Sequence, residues 1–317
     1  MRRKVAVIGA GNVGATCAQR ILERGMADVA LVDVVEGLAQ GKALDLAEAA
    51  PLEGHDCRIA GSTDYGIIQG AGVVVVTAGL ARKPGMSRSD LLEANARIVQ
   101  SIIPNVVNHA PDSILIMVTN PLDIMTYCAA KLTGWSQERV MGMAGVLDSA
   151  RLRFFVAERL KVSVKDVDAL VMGGHGDSMV PLPRYTTVSG VPITELLPKP
   201  EIDQIMQRTR DGGAEVVKLL KSGSAFYAPA SSAADMAQAI LGDEHRILPT
   251  CVRLSGPYGL KDVFCGVPAR LGARGVEEVV EVSLAPEEKA ALAASAKGVR
   301  EEMQALDALL KQPAAAR

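Results

Sequence analysis

A glycine-rich motif near the N-terminus is the feature of this sequence that most restricts its fold. The motif Gly-x-Gly-x-x-Gly spans residues 9–14, directly after the apolar run 5–8 and at the start of the helical pattern 13–24. In this context the first glycine permits a tight turn, the second lets a pyrophosphate approach the backbone, and the third allows the helix to pack closely on the strand. The start of the helix adds unpaired N–H groups that favour phosphate. We therefore expect a dinucleotide at the residues of the motif, which are Gly9, Ala10, Gly11, Asn12, Val13 and Gly14.

A carboxylate ends the second apolar run and bears on the choice of cofactor. Asp33 follows the run 29–32, nineteen residues beyond Gly14. A carboxylate at this position accepts hydrogen bonds from ribose hydroxyls and repels a 2′-phosphate, so NAD is favoured over NADP. The alternative is a glycine-rich turn in an α/β domain that binds no cofactor.

Short apolar runs alternate with helical patterns through the first half of the chain. The predicted strands are 5–8, 29–32, 58–60, 73–77 and 114–118, and the predicted helices are 13–24, 38–49, 89–108 and 124–132. Such Val- and Ile-rich runs suit parallel strands that are buried on both faces. The alternation predicts an α/β fold with a doubly wound parallel sheet in an N-terminal domain, residues 1–145, and places ligands at the carboxyl ends of the strands.

The second half has a different pattern, which predicts a second domain over residues 146–317. Its predicted helices are 150–160, 201–220, 233–241 and 287–310, and its predicted antiparallel strands are 247–254 and 263–267. The boundary is placed near Gly145, where no linker rich in Pro or Ser occurs. We therefore expect the two halves to pack tightly against each other.

Composition excludes several classes of protein. The chain has 317 residues, of which 49% are hydrophobic and 3% aromatic, so its core must be aliphatic. Lys and Arg total 34 against 36 for Asp and Glu, which argues against a nucleic-acid partner or a polybasic membrane anchor. No run reaches the roughly 18–20 apolar residues of a membrane span, and we expect a cytoplasmic protein. The five cysteines include no Cys-x-x-Cys pair, which predicts free thiols. No metal site is expected, because the sequence has no His-x-x-x-His pattern.

Three polar patterns in the sequence are candidates for catalytic chemistry. Residues 79–88 carry three positive charges and no acid after the fourth predicted strand, which suits a lid over an anionic substrate or a solvated basic turn. Asp148 and Arg151 are three residues apart and project from one side of a helix, where they serve a ligand or pair with each other. His175 lies among glycines after an apolar run, a setting typical of neither a helix nor a packed core.

These residue types suit a dehydrogenase that uses NAD. The hydride donor must be an alcohol or a 2-hydroxy acid. A histidine takes the hydroxyl proton as the hydride leaves, and a carboxylate partner fixes its tautomer and favours the imidazolium. A guanidinium grips a substrate carboxylate through two parallel hydrogen bonds.

The segments that carry these residues resemble those of malate dehydrogenases of the lactate-dehydrogenase-like branch. The matching segments are 9–14, 77–88, 118–123, 147–151 and 173–177, and the resemblance extends over essentially the whole chain. It implies a Rossmann domain followed by an α/β (α+β) substrate domain, in a subunit that forms a homo-oligomer, either a dimer or a tetramer. It also implies NAD as cofactor, malate and oxaloacetate as substrates, and a place in the tricarboxylic acid cycle.

The resemblance implies a role for each candidate residue. His175 accepts and donates the proton, with Asp148 as its partner. Arg151 grips the C1 carboxylate, and Arg88 polarises the C2 oxygen. Asn120 contacts that oxygen or the cofactor, and Arg82 contacts the second carboxylate of the substrate. The residues that contact the nicotinamide ribose are Asn95, Val118, Thr119 and Asn120.

Two alternatives to a malate dehydrogenase stay open from the sequence. One is a lactate dehydrogenase or another 2-hydroxy-acid dehydrogenase, in which glutamine typically occupies the position of Arg82. The other is a non-catalytic NAD-binding protein, which has no need of His175, Asp148 and Arg151 together.

Overall fold

A nine-stranded sheet forms the centre of the molecule. The computed structural model describes residues 3–80 and 87–310, apart from the side chain of Arg88. Six parallel strands come first in the chain. They are β1 (Lys4–Ile8), β2 (Asp28–Val32), β3 (Ile59–Ser62), β4 (Val73–Val76), β5 (Ile114–Met117) and β6 (Val140–Gly142).

The six parallel strands lie in the order β3-β2-β1-β4-β5-β6. This is the strand order of dinucleotide-binding doubly wound sheets, in which the order of the strands along the sheet reverses between β1 and β4. Strands such as β4 consist of consecutive valines that are all fully buried, because helices cover both faces of the sheet. The fold confirms the α/β class that the alternation of runs predicts, and it opens a crevice at the carboxyl ends of β1 and β4.

Nine α-helices surround the sheet within the described residues. They are α1 (Asn12–Glu23), α2 (Leu38–Glu53), α3 (Arg88–His109), α4 (Leu122–Thr133), α5 (Gly145–Leu160), α6 (Ile193–Leu196), α7 (Lys199–Leu220), α8 (Tyr227–Gly242) and α9 (Pro286–Leu310). None of them is long and apolar enough to cross a membrane.

The second half of the chain extends the sheet of the first half. Five two-residue strands come before the extension: β7 (Val167–Asp168), β8 (Val171–Met172), β9 (Val180–Pro181), β10 (Thr187–Val188) and β11 (Val191–Pro192). The extension itself is antiparallel and consists of β12 (Arg246–Ser255), β13 (Lys261–Gly272) and β14 (Gly275–Val279). β12 pairs with β6 through Cys251 opposite Gly142, so one sheet crosses from the first half of the chain to the second.

Two hydrophobic clusters follow this arrangement. The larger one surrounds the sheet and includes residues from both halves of the chain, such as Val75 on β4 and Val267 on β13. The smaller one lies between α5 and α7 and includes Leu152 and Ile205. The five cysteines are free thiols, as the sequence predicts.

Several element boundaries differ from those predicted. β6 and β14 are not predicted, because β6 has only three residues and β14 contains Glu277 and Glu278 and so has no continuous apolar run. α5 begins at Gly145 instead of residue 150, so Asp148 lies in its first turn. α8 begins at Tyr227 instead of residue 233.

Candidate active site

The glycine motif forms the turn between β1 and α1. Gly9 has a φ of 102°, which favours glycine. A Cβ atom on Gly14 would lie 1.7 Å from the Gly9 carbonyl oxygen, so only glycine allows α1 to begin this close to the strand. A Cβ atom on Gly11, the residue before α1, would meet no atom within 4 Å. The open side of Gly11 and the first N–H groups of α1 fit a dinucleotide pyrophosphate.

Asp33 braces this turn from the end of β2. Its Oδ2 accepts the Ala10 N–H at 2.6 Å, and its Oδ1 accepts the Val35 N–H at 2.9 Å. The Ala10 carbonyl in turn accepts Lys42 Nζ of α2 at 2.7 Å. The carboxylate predicted to meet the ribose therefore lies beside the glycine turn and also fixes its backbone.

Asn95 and the segment after β5 form the other wall of the crevice. The Asn95 amide group donates to the carbonyls of Leu80 and Asn120, at 3.1 and 2.6 Å, and accepts the Leu80 N–H at 2.7 Å. Asn95 is fully buried, and these bonds leave one acceptor lone pair on its Oδ1. Thr119 is buried and donates to the Ala78 carbonyl at 2.7 Å, whereas Asn120 is exposed. The side chain of Asn95 thus connects the start of the basic segment to the end of β5.

His175, Asp148 and Arg151 form one contiguous group. The Asp148 carboxylate is buried, its Oδ2 lies 2.8 Å from His175 Nδ1, and its Oδ1 accepts a bond from Arg151 at 3.1 Å. The His175 and Arg151 side chains are 13% and 16% exposed, so both reach the surface of the site. The spacing of Asp148 and Arg151 predicts that they share one side of a helix, and the family resemblance implies that Asp148 partners His175. In the structure, α5 and the loop after β8 bring the three residues together.

The carboxylate partner controls the proton affinity of His175. Burial lowers the pKa of His175, but the charge of Asp148 and its hydrogen bond to the ring outweigh this effect. Asp123 raises this pKa further, Arg151 lowers it, and the net result is a pKa above the ordinary value. The imidazolium form is therefore favoured, and the ring is oriented with Nδ1 toward Asp148.

Three distant elements hold the loop that carries His175. Gly173 exchanges two backbone hydrogen bonds with Gly266 of β13, at 2.9 and 3.0 Å. The Gly174 N–H donates to Ser295 Oγ of α9 at 2.8 Å, and the His175 N–H donates to Asp123 Oδ2 of α4 at 2.7 Å. The sequence patterns predict no role for these three partners. The signal that points to Asp123 is an acidic residue at the start of an apolar helix that lies against the sheet.

Arg151 lies against two glycines of α7. A Cβ atom on Gly212 would be 3.1 Å from Arg151 Cδ, and one on Gly213 would be 3.6 Å from its terminal nitrogen. The absence of side chains at these positions makes room for the arginine. This packing against α7 is not predictable from the sequence patterns. Arg82 and the side chain of Arg88 lie outside the described residues.

A separate group of possible metal ligands lies at the surface. Asp243, His245 and Glu277 place a ligand atom each within 4.8 Å of one another. Arg270 and Arg274 approach the Glu277 carboxylate at 3.5 and 3.7 Å, and His245 Nδ1 lies 2.8 Å from it. These cations offset the charge of Glu277, so the group has the character of a surface ion-pair network.

The sequence and the fold match those of lactate and malate dehydrogenases. Residues 3–142 match the family model for the lactate/malate dehydrogenase NAD-binding domain, and residues 145–309 match that for the lactate/malate dehydrogenase alpha/beta C-terminal domain. A malate dehydrogenase from Synechocystis is 57% identical, covering 94% of this chain and 92% of that protein. One from Thermomicrobium roseum is 56% identical, covering 98% of this chain and all of that protein.

Solved structures give the same result. The malate dehydrogenase from Salinibacter ruber is 50% identical, with a TM-score of 0.93 over 96% of this chain and 98% of that one. A lactate dehydrogenase from Cryptosporidium parvum, complexed with lactic acid and NAD, is 40% identical, with a TM-score of 0.94 over 99% of both chains. The chain therefore belongs to the lactate/malate dehydrogenase family.

Proposed function

We propose that the chain catalyses reversible hydride transfer between malate and NAD, giving oxaloacetate and NADH, with His175 as the acid–base. The observation that carries the proposal is the group formed by His175, Asp148 and Arg151, on a chain more than 50% identical to malate dehydrogenases. NAD, when bound, accepts the hydride from C2 of malate and returns it in the reverse direction. The chain supplies the binding, the orientation and the proton.

His175 moves the proton of the C2 hydroxyl. Its Nδ1–H donates to Asp148, which leaves Nε2 free to accept the hydroxyl proton during malate oxidation. The imidazolium that forms is stabilised by the adjacent carboxylate. In the reverse direction the same Nε2–H donates to the oxygen of oxaloacetate, so this direction requires the protonated ring.

Three arginines are assigned to the substrate. Arg151, held by Asp148 beside His175, binds the C1 carboxylate through a bidentate pair. Arg88 polarises the C2 oxygen, Arg82 binds the second carboxylate, and Asn120 donates to the C2 oxygen or contacts the cofactor. These three assignments rest on the family resemblance. The cofactor residues are the glycine motif, Asp33, Asn95 and the segment 118–120.

The choice of malate over lactate depends on Arg82. A lactate dehydrogenase has the same fold with a TM-score of 0.94, so the backbone does not distinguish the two substrates. Arg82 pairs with the second carboxylate of oxaloacetate, but it faces only a methyl group in pyruvate. An unpaired guanidinium in a closed site is costly, so one residue attracts the first substrate and rejects the second.

The acid–base assignment is tested by steady-state kinetics of His175→Asn. Turnover with oxaloacetate should fall by at least ~10²-fold, the usual scale for loss of a general acid, while NADH still binds. His109→Asn, a half-buried histidine near the end of α3, is the matched control and should keep wild-type turnover. If His175→Asn stays within a few-fold of wild type, another group handles the proton.

The substrate assignment is tested by Arg82→Gln. Catalytic efficiency with oxaloacetate should fall by about 30-fold or more, and efficiency with pyruvate should rise, because a buried charge pair is lost. Wild type and variant are compared on both keto acids at one pH and one ionic strength. An oxaloacetate-to-pyruvate preference within threefold of wild type would show that Arg82 is not the discriminating residue.

We also propose a cytoplasmic homo-oligomer with a domain division near residue 145. Exposed apolar side chains support an interface between subunits, among them Leu44 and Leu52 on α2 and Leu219 on α7, which are 62%, 88% and 74% exposed. The apolar face of α5 packs into the protein instead. Light scattering of the purified protein measures whether dimers or tetramers form.

A further inference from the structure

A second buried carboxylate lies directly behind His175. Asp123, in the first turn of α4, is 4% exposed, and its Oδ2 accepts the His175 backbone N–H at 2.7 Å. Its Oδ1 is buried and accepts no N–H or O–H donor among the described residues. An ionisable group in this position is costly unless its charge is used.

We propose that Asp123 is a positioning residue for His175, which anchors the histidine backbone and adds a second negative charge that favours the imidazolium. The inference rests on the proposed acid–base role of His175. It assigns to Asp123 a function that Asp148 cannot perform, because Asp148 contacts the ring and not the backbone.

The surroundings act on the ionisation of Asp123 in both directions, and their net effect is a pKa above the ordinary value. Burial raises the pKa of Asp123, and Asp148 adds to this effect. The Cys251 thiol, the His175 N–H and the His175 ring act in the opposite direction. Burial also raises the pKa of Cys251 well above its ordinary value, so this neighbour on β12 remains a thiol and a weak donor toward the carboxylate.

Among the described side chains, the charges that face His175 come from two elements. Asp148 and Arg151 lie on α5, and Asp123 lies on α4; the Arg88 side chain belongs to the part of the chain outside the described residues. Both carboxylates raise the pKa of His175, and Arg151 lowers it. Replacing Asp123 by a neutral group therefore lowers the pKa of His175.

The alternative is that Asp123 acts only as a hydrogen-bond acceptor for the loop. Asp123→Asn separates the two roles, because the amide oxygen still accepts the His175 N–H but carries no charge. A purely structural residue would change the rate equally at all pH values or change only the stability.

The test is the pH profile of kcat/KM for Asp123→Asn in both directions of the reaction. Oxaloacetate reduction requires protonated His175 and falls as pH rises through its pKa, whereas malate oxidation requires the neutral ring and rises there. We expect both transitions to move to lower pH by about one pH unit. Above the wild-type pKa of His175, reduction by the variant should be lower by up to about tenfold. Between the pKa of the variant and that of the wild type, malate oxidation should increase.

Two Asp→Asn variants calibrate the experiment. Asp148→Asn removes the carboxylate on the ring and should shift both transitions in the same direction as Asp123→Asn. Asp307→Asn removes a carboxylate that binds Tyr127 and Lys131 of the same helix α4, and it should leave both transitions unchanged. Thermal unfolding of each variant shows that it is folded.

Unshifted transitions in folded Asp123→Asn would overturn the proposal. If this variant does not fold, Asp123→Ser replaces it, since serine is smaller, uncharged and still offers an oxygen to the N–H. Full turnover in His175→Asn would instead contradict the proposed function itself, so the two failures are distinguishable.

Discussion

Asp33 shows how one side chain connects cofactor choice to local structure. Its two oxygens accept the N–H groups of Ala10 and Val35, so the side chain fixes the glycine turn. It also places a negative charge beside that turn. A 2′-phosphate at the adjacent ribose would lie against this charge. We therefore expect the residue that shapes the glycine turn to select the cofactor as well.

Asp33→Ser should weaken the preference for NADH over NADPH. The ratio of kcat/KM for NADPH to that for NADH should rise by about tenfold or more, because the repulsion of the 2′-phosphate is lost. Efficiency with NADH should fall as well, since the turn loses a bond from its carboxylate. Asp45→Ser, an exposed acid on α2, is the control and should change neither value. An unchanged ratio would contradict the role of Asp33.

Residue chemistry is predictable from sequence when a local pattern carries it. His175 among glycines and Asp148 three residues before Arg151 are visible in short segments. Ser295 is not, because it lies 121 residues beyond Gly174 in a helix rich in alanine, and its hydroxyl bond depends on tertiary packing. Asp123 lies within a segment that the sequence singles out, but the sequence does not reveal what its carboxylate binds.

At the level of elements, α7 limits the position of Arg151. Gly212 is buried, and a Cβ atom there would already lie 3.1 Å from the arginine side chain. Glycine is unfavourable in a helix interior, so its presence twice in succession in α7 indicates a steric requirement.

Gly212→Val should displace Arg151 and weaken binding of the substrate carboxylate. The KM for oxaloacetate should rise by about tenfold to a hundredfold, since small misplacements of a binding group have effects of this size. Gly298→Val makes the same change on α9, where a Cβ atom meets nothing within 4 Å, and should leave the KM unchanged. A similar KM for both variants would contradict the claim that Gly212 of α7 makes room for Arg151.

Most elements follow from apolar patterns, and the exceptions have a physical reason. Strands β1 to β5 are short runs bounded by breakers, so they are predicted to within two residues. β6 escapes prediction because Val140–Gly142 has only three residues, and it forms a strand because β5 and β12 pair with it on either side. Tertiary pairing, and not local preference, determines this element.

At the level of the whole molecule, one sheet and one large core join the two halves. β12, β13 and β14 continue the sheet beyond β6, and the larger cluster contains buried residues from both halves. The sequence predicts tight packing between the halves but not a shared sheet, because strand partners so distant in sequence leave no local signal.

The shared core predicts that the halves do not fold independently. The full chain should unfold in a single transition seen alike by circular dichroism and by fluorescence of Trp135, whereas a fragment of residues 1–145 should bind a hydrophobic dye and aggregate. The fragment exposes the free edge of β6 and the apolar surface that the second half covers. A soluble, monomeric fragment with a cooperative transition of its own would contradict this prediction.

The bonds of the His175 loop to β13 and α9 have a consequence for synthesis on the ribosome. The nucleotide-binding half leaves the exit tunnel first, but Gly266 and Ser295, which hold the loop, are translated long after His175. Until then the nascent chain has an unpaired strand edge and an unsupported His175 loop, and we expect it to be inactive and prone to associate with other chains. The His175 loop can therefore become organised only after the chain through Ser295 has left the ribosome.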